Sequence, residues 1–272
     1  MPNIDILIMA IIRGASEVLP IDFSAHGLMV SWLICWPDRG HFQIAAADGG
    51  ILIALLVYFW RDIGQMLRSV VRALRGKRDP GGRLILQLLL GSLPAFAVVV
   101  VLRVVLNVTV TQPIYVAVLL VAFAVVLYVA DQAGLTVRRL EQMKIGQALV
   151  VGLFQGLAFL PGVSRIGIAA TVGRILGYER ADAARFALLL TIPWMAGSGL
   201  YRVYLGLAAR EVADPDAALL TAAGAGVTAF IAVAFLMYWL RRGSFTLFAV
   251  YRVMLGGALI YAITSLAPAA CS

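Results

Sequence analysis

The chain has 272 residues, 62% of them apolar and 13% charged, with a formal net charge of +8. So apolar a composition excludes an ordinary soluble domain. In a soluble chain the positive balance would raise nucleic acid as a partner, but here the basic residues sort by loop. They report membrane topology, and no nucleic-acid partner is expected.

In chain order, residues 1–40 come first. They carry Asp5 and lack both a basic start and a small-residue cleavage site, so no cleaved signal is read and this segment is expected to stay. Six stretches then reach the ~20 largely apolar residues of a spanning helix: about 44–60, 84–106, 114–132, 184–206, 217–240 and 247–267. Between the first two, the basic residues Arg61, Arg68, Arg72, Arg75, Lys77, Arg78 and Arg83 outnumber Asp62 and Asp79, which marks a cytoplasmic loop. The connector 107–113 is uncharged. Arg138, Arg139 and Lys144 mark 133–146 as cytoplasmic, and Arg241 with Arg242 does the same before the last span. The loop 207–216 sets Arg210 against Glu211, Asp214 and Asp216, and is expected outside. Six spans satisfy this alternation only if 147–183 enters and leaves on the cytoplasmic side, as a re-entrant hairpin, while 1–40 dips in from the outer side. Trp32, Trp36, Trp60, Trp194 and Trp239 mostly sit near span ends and read as interface anchors, His41 reads as an interfacial loop residue, and Cys35 and Cys271 as apolar filler.

The two hairpins resemble each other. RGASEVLPIDFSAHG (13–27) and QGLAFLPGVSRIG (155–167) share a starting glycine (Gly14, Gly156), a Leu-Pro break, a following serine and a closing glycine. The expected fold is therefore an all-α integral membrane protein with about six transmembrane helices and two re-entrant helical hairpins, in an inverted-topology repeat of 1–132 and 133–272. In such repeats, broken helices meet near the bilayer midplane and bind ligand there. The Gly-rich segments GAGVTAF and MLGGALI permit close helix contacts, within the chain or between copies.

Pro20 and Pro161 lack an N–H and disfavour helix in the preceding residue, so both hairpins should break there. Around the breaks stand Arg13, Glu17, Asp22, Ser24 and His26 in the first, and Gln155, Ser164, Arg165 and Thr171 in the second. Ionisable residues at membrane depth are costly and read as functional. A phosphate is the natural partner. Arg165 offers a planar fork of donors, and Ser164 with the loop N–H groups before a helix beginning near Gly167 would make an anion-binding helix start. Arg165 is alternatively a buried partner of Glu17. His26 is the expected proton carrier. Glu17 either binds a divalent cation bridging to phosphate or steadies His26 as imidazolium.

The residues at the breaks carry a resemblance. RGASEVLPIDFSAHG resembles the first motif of the undecaprenyl pyrophosphate phosphatase family of the bacitracin-resistance type, roughly (Q/E)G-x-(T/S)-E-F-L-P-(V/I)-S-S-(T/S)-G-H, and LPGVSRIGIAATVG resembles its PG-x-SRSG-x-T motif. FQIAAADGGILIALLVYFWRDI, ARFALLLTIPWMAG and FTLFAVYRVMLGG extend the similarity over nearly the whole chain. The resemblance implies an enzyme of the bacterial inner membrane that removes the terminal phosphate of undecaprenyl (polyprenyl) pyrophosphate at the periplasmic side for carrier-lipid recycling. It also implies assembly as a homodimer and use of a divalent cation, Mg or Ca. Glu17, His26, Ser164 and Arg165 match the motif glutamate, histidine and Ser-Arg. The chain departs from the pattern at Arg13, where the family has a carboxylate or glutamine, at Asp22 and Phe23 in place of two serines, at Ala25 for glycine and at Ile166 for serine. Phe23 cannot attack phosphorus, which leaves His26, Asp22, Ser24 or a metal-bound water, with Asp22 open as acid, base or acyl-phosphate nucleophile. Arg13 either adds a phosphate contact or neutralises Glu17. The alternative function is a non-hydrolytic lipid-phosphate translocase or an inactive family member.

Overall fold

In the computed structural model, which describes residues 2–34, 40–75, 80–108 and 112–265, every regular element is helical. Cys35, Trp36, Lys77, Arg78, Asp79 and Cys271 lie outside the described residues. Helices α1 (Pro2–Val18) and α2 (Phe23–Ile34) are followed by α3 (His41–Tyr58), α4 (Trp60–Leu74), α5 (Pro80–Val100), α6 (Pro113–Ala133), α7 (Ile145–Gln155), α8 (Arg165–Ile175), α9 (Arg180–Ala208), α10 (Pro215–Trp239) and α11 (Thr246–Ser265). Among the described residues, six segments are long and apolar enough to cross a membrane: His41–Tyr58, Gly82–Arg103, Pro113–Ala133, Arg180–Ala208, Pro215–Trp239 and Thr246–Ser265. They match the six apolar stretches of the sequence, with α9 starting four residues earlier, at Arg180 rather than 184.

Local chemistry sets the helix ends. Asp214 caps α10 by accepting from the N–H groups of Asp216 and Ala217 at 3.0 and 3.1 Å, and Pro215 fills the first helical position, where its missing N–H costs nothing. Pro94 sits inside α5, whose end widens into a π-type turn at Val101–Val105. One expectation changes here. The basic stretch after α3 is no open loop, because residues 60–74 form the amphipathic helix α4, burying Met66 and Ser69 and exposing Leu67, Val71 and Leu74 beside Arg68.

Between 28% and 50% of each spanning window is buried, the largest share in α9, which packs against α3, α5 and α8. Large apolar side chains such as Leu93, Leu200, Val227 and Met254 face outward, whereas Asp48, Asp131, Arg174 and Arg252 are buried. Apolar outside and charged inside is the arrangement that a hydrocarbon solvent selects. Helix α10 packs on α1 and α3, α5 on α7, and α6 on α11. These approaches are close enough to require glycine. A Cβ on Gly50 would fall on the Ala222 carbonyl, and one on Gly152 would fall on the Gly91 carbonyl. The glycines of the two Gly-rich segments are largely spent inside the chain, Gly224 against Ala10 and Leu7, Gly226 against Gly50, and Gly256 against Val121.

Candidate functional site

Two helix breaks meet at the centre of the molecule. At the first, Pro20 stops α1, the N–H of Ile21 turns back to the Leu19 carbonyl at 2.8 Å, and Asp22 takes a left-handed conformation with φ of 67°. Asp22 then caps α2, its Oδ2 accepting the Ala25 N–H at 3.2 Å. At the second, α7 tightens through Gly156–Phe159, the chain reverses at Pro161-Gly162 with φ of 94° at Gly162, and α8 starts at Arg165. The helix begins two residues before the expected Gly167, because Ser164 is its cap and accepts the Gly167 N–H at 3.2 Å.

The breaks are joined directly. The Gly162 N–H donates to the same Asp22 Oδ2 at 3.1 Å, and the Ser164 hydroxyl reaches the Leu19 carbonyl at 3.5 Å. Arg165 Nη2 stands 3.8 Å from Glu17 Oε2, the buried pairing weighed from sequence. Arg252, fully buried on α11, donates to the Gly162 carbonyl at 2.9 Å and is in coulombic range of Asp22. Sequence reading missed Arg252. Its only signal is a lone arginine within an apolar span.

The cluster widens on the Glu17 side. Arg13 Nη2 lies 3.8 Å from Glu17 Oε1 and 2.6 Å from Asp48 Oδ1, and Arg202 Nε lies 3.5 Å from Asp48 Oδ2. The guanidinium of Arg13 rests on the Phe23 ring at 4.8 Å. Two departures from the family motif thus stack on each other, and Asp48 supplies the counter-charge. The Arg165 guanidinium lies 4.9 Å from the Trp194 ring, which stacks on Phe96. Trp194, partly buried in the middle of α9, is therefore a platform for Arg165 and not the expected interface anchor. Among the described residues, four buried arginine nitrogens have no hydrogen-bond partner: Arg13 Nε, Arg165 Nη1, Arg202 Nε and Arg252 Nε. The Gln155 amide, buried at the end of α7, also has none on either atom. Donors like these cost about 1–3 kcal/mol each when unmatched, which marks a place built for an added acceptor.

The remaining predicted residues fall as follows. Thr171 is buried and returns its hydroxyl to the Gly167 carbonyl at 2.7 Å, within α8. Ser24, partly buried, is in the first turn of α2, two residues before His26, and residues at that spacing do not face each other. His26 Nδ1 is 2.6 Å from the Asp22 carbonyl oxygen, which can only accept, so Nδ1 carries the proton. Nε2 is then the acceptor, and it receives the Tyr251 hydroxyl at 2.7 Å. Tyr251 was also missed. His41, expected in an interfacial loop, instead opens α3 and pairs with Glu211 at 2.5 Å. That hydrogen bond holds the partly buried Glu211 carboxyl below its ordinary range.

The donors around Glu17 do not fit a resident divalent cation. Its carboxylate stands between the guanidiniums of Arg13 and Arg165, Asp48 stands between Arg13 and Arg202, and among the described residues no three His, Cys, Asp or Glu side chains gather at one point. Three arginines against two carboxylates leave the cluster with a net positive charge, suited to an anion.

Residues 6–258 match the family model described as bacitracin resistance protein BacA. The chain belongs to that family. Among its relatives, undecaprenyl-diphosphatase 1 of Rhodospirillum rubrum is 42% identical over 94% of both chains. An undecaprenyl-diphosphatase of Desulforudis audaxviator is 38% identical over 93% of this chain and 95% of its own length, and undecaprenyl-diphosphatase 1 of Paramagnetospirillum magneticum is 38% identical over 96% and 97%.

Proposed function

We propose that this BacA-family chain is an undecaprenyl-diphosphatase: water adds to the terminal phosphorus of undecaprenyl diphosphate, the phosphoanhydride bond breaks, and inorganic phosphate leaves while the lipid keeps one phosphate. The observation that carries the reading is the meeting of the two breaks, which puts Arg165, Ser164 and Glu17 within one buried cluster holding arginine donors without partners. The names of its relatives point to the same substrate. Arg165 holds the phosphate through its planar fork, and the N–H groups at the start of α8 add to it. His26 accepts a proton at Nε2 from the attacking water once the substrate displaces the Tyr251 hydroxyl. Ser24 is off that face of α2. Asp22 is a poor candidate for nucleophile, because its Oδ2 already serves both break loops.

The placement in the bilayer follows from length and charge. Helices α7 and α8, of 11 residues each, extend about 16 Å at ~1.5 Å per residue, roughly half of a ~30 Å hydrocarbon core. We infer a re-entrant hairpin there, and its counterpart in α1 and α2. Packing is reciprocal between the halves 1–132 and 133–272, since α1 lies against α10 of the second half and α7 against α5 of the first. That reciprocity supports the inverted repeat. Asp48 is seven residues inside the His41 end of α3 and Arg202 six residues inside the Ala208 end of α9. The cluster accordingly lies about 10 Å below the Glu211 side, the side poor in basic residues and hence periplasmic in an inner-membrane protein. Cysteines introduced as Lys77→Cys and Val212→Cys are expected to label from opposite sides, and labelling from one side removes this topology.

The direct test is phosphate release from undecaprenyl diphosphate by purified protein, with and without added Mg or Ca. Release leaving undecaprenyl phosphate supports the reading. Binding without release under any metal or pH favours a non-hydrolytic lipid-phosphate translocase. A homodimer remains a proposal for light scattering in detergent.

A further inference from the structure

The charged residues beside the break form one alternating chain, Arg165–Glu17–Arg13–Asp48–Arg202, contributed by α8, α1, α3 and α9. Glu17 divides its two oxygens between Arg165 and Arg13, and Asp48 divides its own between Arg13 and Arg202. Asp48 is buried with 2% of its side chain exposed, so its charge needs the partners it has. Arg202 differs from them in being about a third exposed. It reaches Asp48 through Nε alone, an ionic contact that forms no hydrogen bond, and its charge is in range of Arg13, Glu17 and Arg165. A purely structural pair would close this geometry. This one ends in a partly open arginine whose Nε has no hydrogen-bond acceptor among the described residues.

We propose that Arg202 and Arg13, set in place by Asp48, form a second anion subsite beside Arg165 and Ser164, so that the site grips both phosphates of a diphosphate headgroup and selects it over a monophosphate. The proposal rests on the lipid-diphosphate reading and assigns a role to Arg202 and Asp48, which neither motif contains. Arg165 and Ser164 take one phosphate. Arg202, with the free Nε of Arg13, takes the other, and Asp48 acts as a positioning residue that keeps two guanidiniums from separating. The charge count agrees in sign: the five side chains carry a net single positive charge, which favours an anionic headgroup. After hydrolysis the lipid monophosphate holds one subsite only, and its weaker grip favours release.

The test uses binding, which does not depend on turnover. Methylenediphosphonate, a diphosphate analogue whose bridge does not hydrolyse, and inorganic phosphate are titrated into purified full-length protein in detergent by calorimetry. Wild type is expected to bind the diphosphonate at least tenfold more tightly than phosphate. Arg202→Ala is expected to lose tenfold or more for the diphosphonate and less than twofold for phosphate, and Arg202→Lys to recover part of the loss. Arg202→Gln serves if the alanine variant does not fold. Equal wild-type affinity for the two anions, or a variant that weakens both equally or neither, overturns the second subsite. Hydrolysis of undecaprenyl diphosphate is measured separately. A protein that shows the diphosphonate preference and its loss but releases no phosphate keeps the subsite and loses the hydrolase reading.

Discussion

Among the described residues, two clusters of arginine and aspartate are finished to different degrees. On the side of Leu135 and Tyr178, Arg174 is fully buried and all its nitrogens have partners: Nε bonds Asp131 Oδ1 at 3.0 Å, Nη1 the Tyr178 carbonyl at 2.5 Å, and Nη2 the Gly134 carbonyl at 2.8 Å. Asp131 also takes Arg180 at 2.8 Å and the Phe245 N–H at 3.1 Å. At the meeting of the breaks, Arg13, Arg165 and Arg202 each keep a buried nitrogen without a partner among the described residues. A saturated buried arginine ties helices together. An unsaturated one holds binding energy in reserve for something the chain does not supply.

The contrast is open to mutation. The largest effect is expected at the saturated cluster, where Asp131→Ala leaves Arg174 buried without its counter-charge, at a cost of roughly 3–5 kcal/mol. Loss of folded protein in detergent extracts is the expected outcome, and an unchanged unfolding midpoint contradicts the assignment. At the open cluster the cost falls on turnover. His26→Ala is expected to lower phosphate release by about 10²–10⁴-fold, the usual worth of a general base, with activity in the wild type declining as pH drops through the imidazole's pKa. Asp22→Asn keeps an acceptor for the Ala25 and Gly162 N–H groups and is expected to retain a measurable part of the activity. A trapped phosphoaspartate in the wild type, with no turnover in Asp22→Asn, reverses the two roles. The smallest effect is at the surface. Because the His41 bond depresses the Glu211 carboxyl, its contribution to stability is present above the ordinary carboxylate value of 4.5 and is lost as pH falls through the lower folded value. The difference in unfolding midpoint between wild type and Glu211→Gln is expected to vanish in that acid range, and a constant difference removes the link.

Much of this contrast is legible in the sequence, for definite reasons. The six spans are read from apolar length, and Pro20 and Pro161 locate both breaks because a missing N–H acts locally whatever the fold. Glu17, His26, Ser164 and Arg165 stand next to those breaks and so advertise themselves. Asp48, Arg202, Tyr251 and Arg252 do not. They lie in apolar helix stretches away from both breaks, and only tertiary packing brings Asp48 to Arg13 or Tyr251 to His26. The helical character of 60–74 was hidden by counting its arginines as loop charge, and the platform role of Trp194 by grouping it with the span-end tryptophans although it stands in the middle of 184–206. Arg174 was equally invisible, since saturation is a property of the fold.

The account turns on the claim that the unsaturated arginines serve the substrate and not the fold. Arg165→Ala puts this most directly, measured as the initial rate of phosphate release from undecaprenyl diphosphate in protein whose unfolding midpoint is recorded in parallel. Loss of a bidentate, charge-assisted contact, about 3 kcal/mol, predicts a fall of roughly 100-fold or more in rate, with the midpoint kept close to wild type and no rescue to full activity by Arg165→Lys. A variant that unfolds as Asp131→Ala does, or one that folds and hydrolyses like wild type, contradicts it.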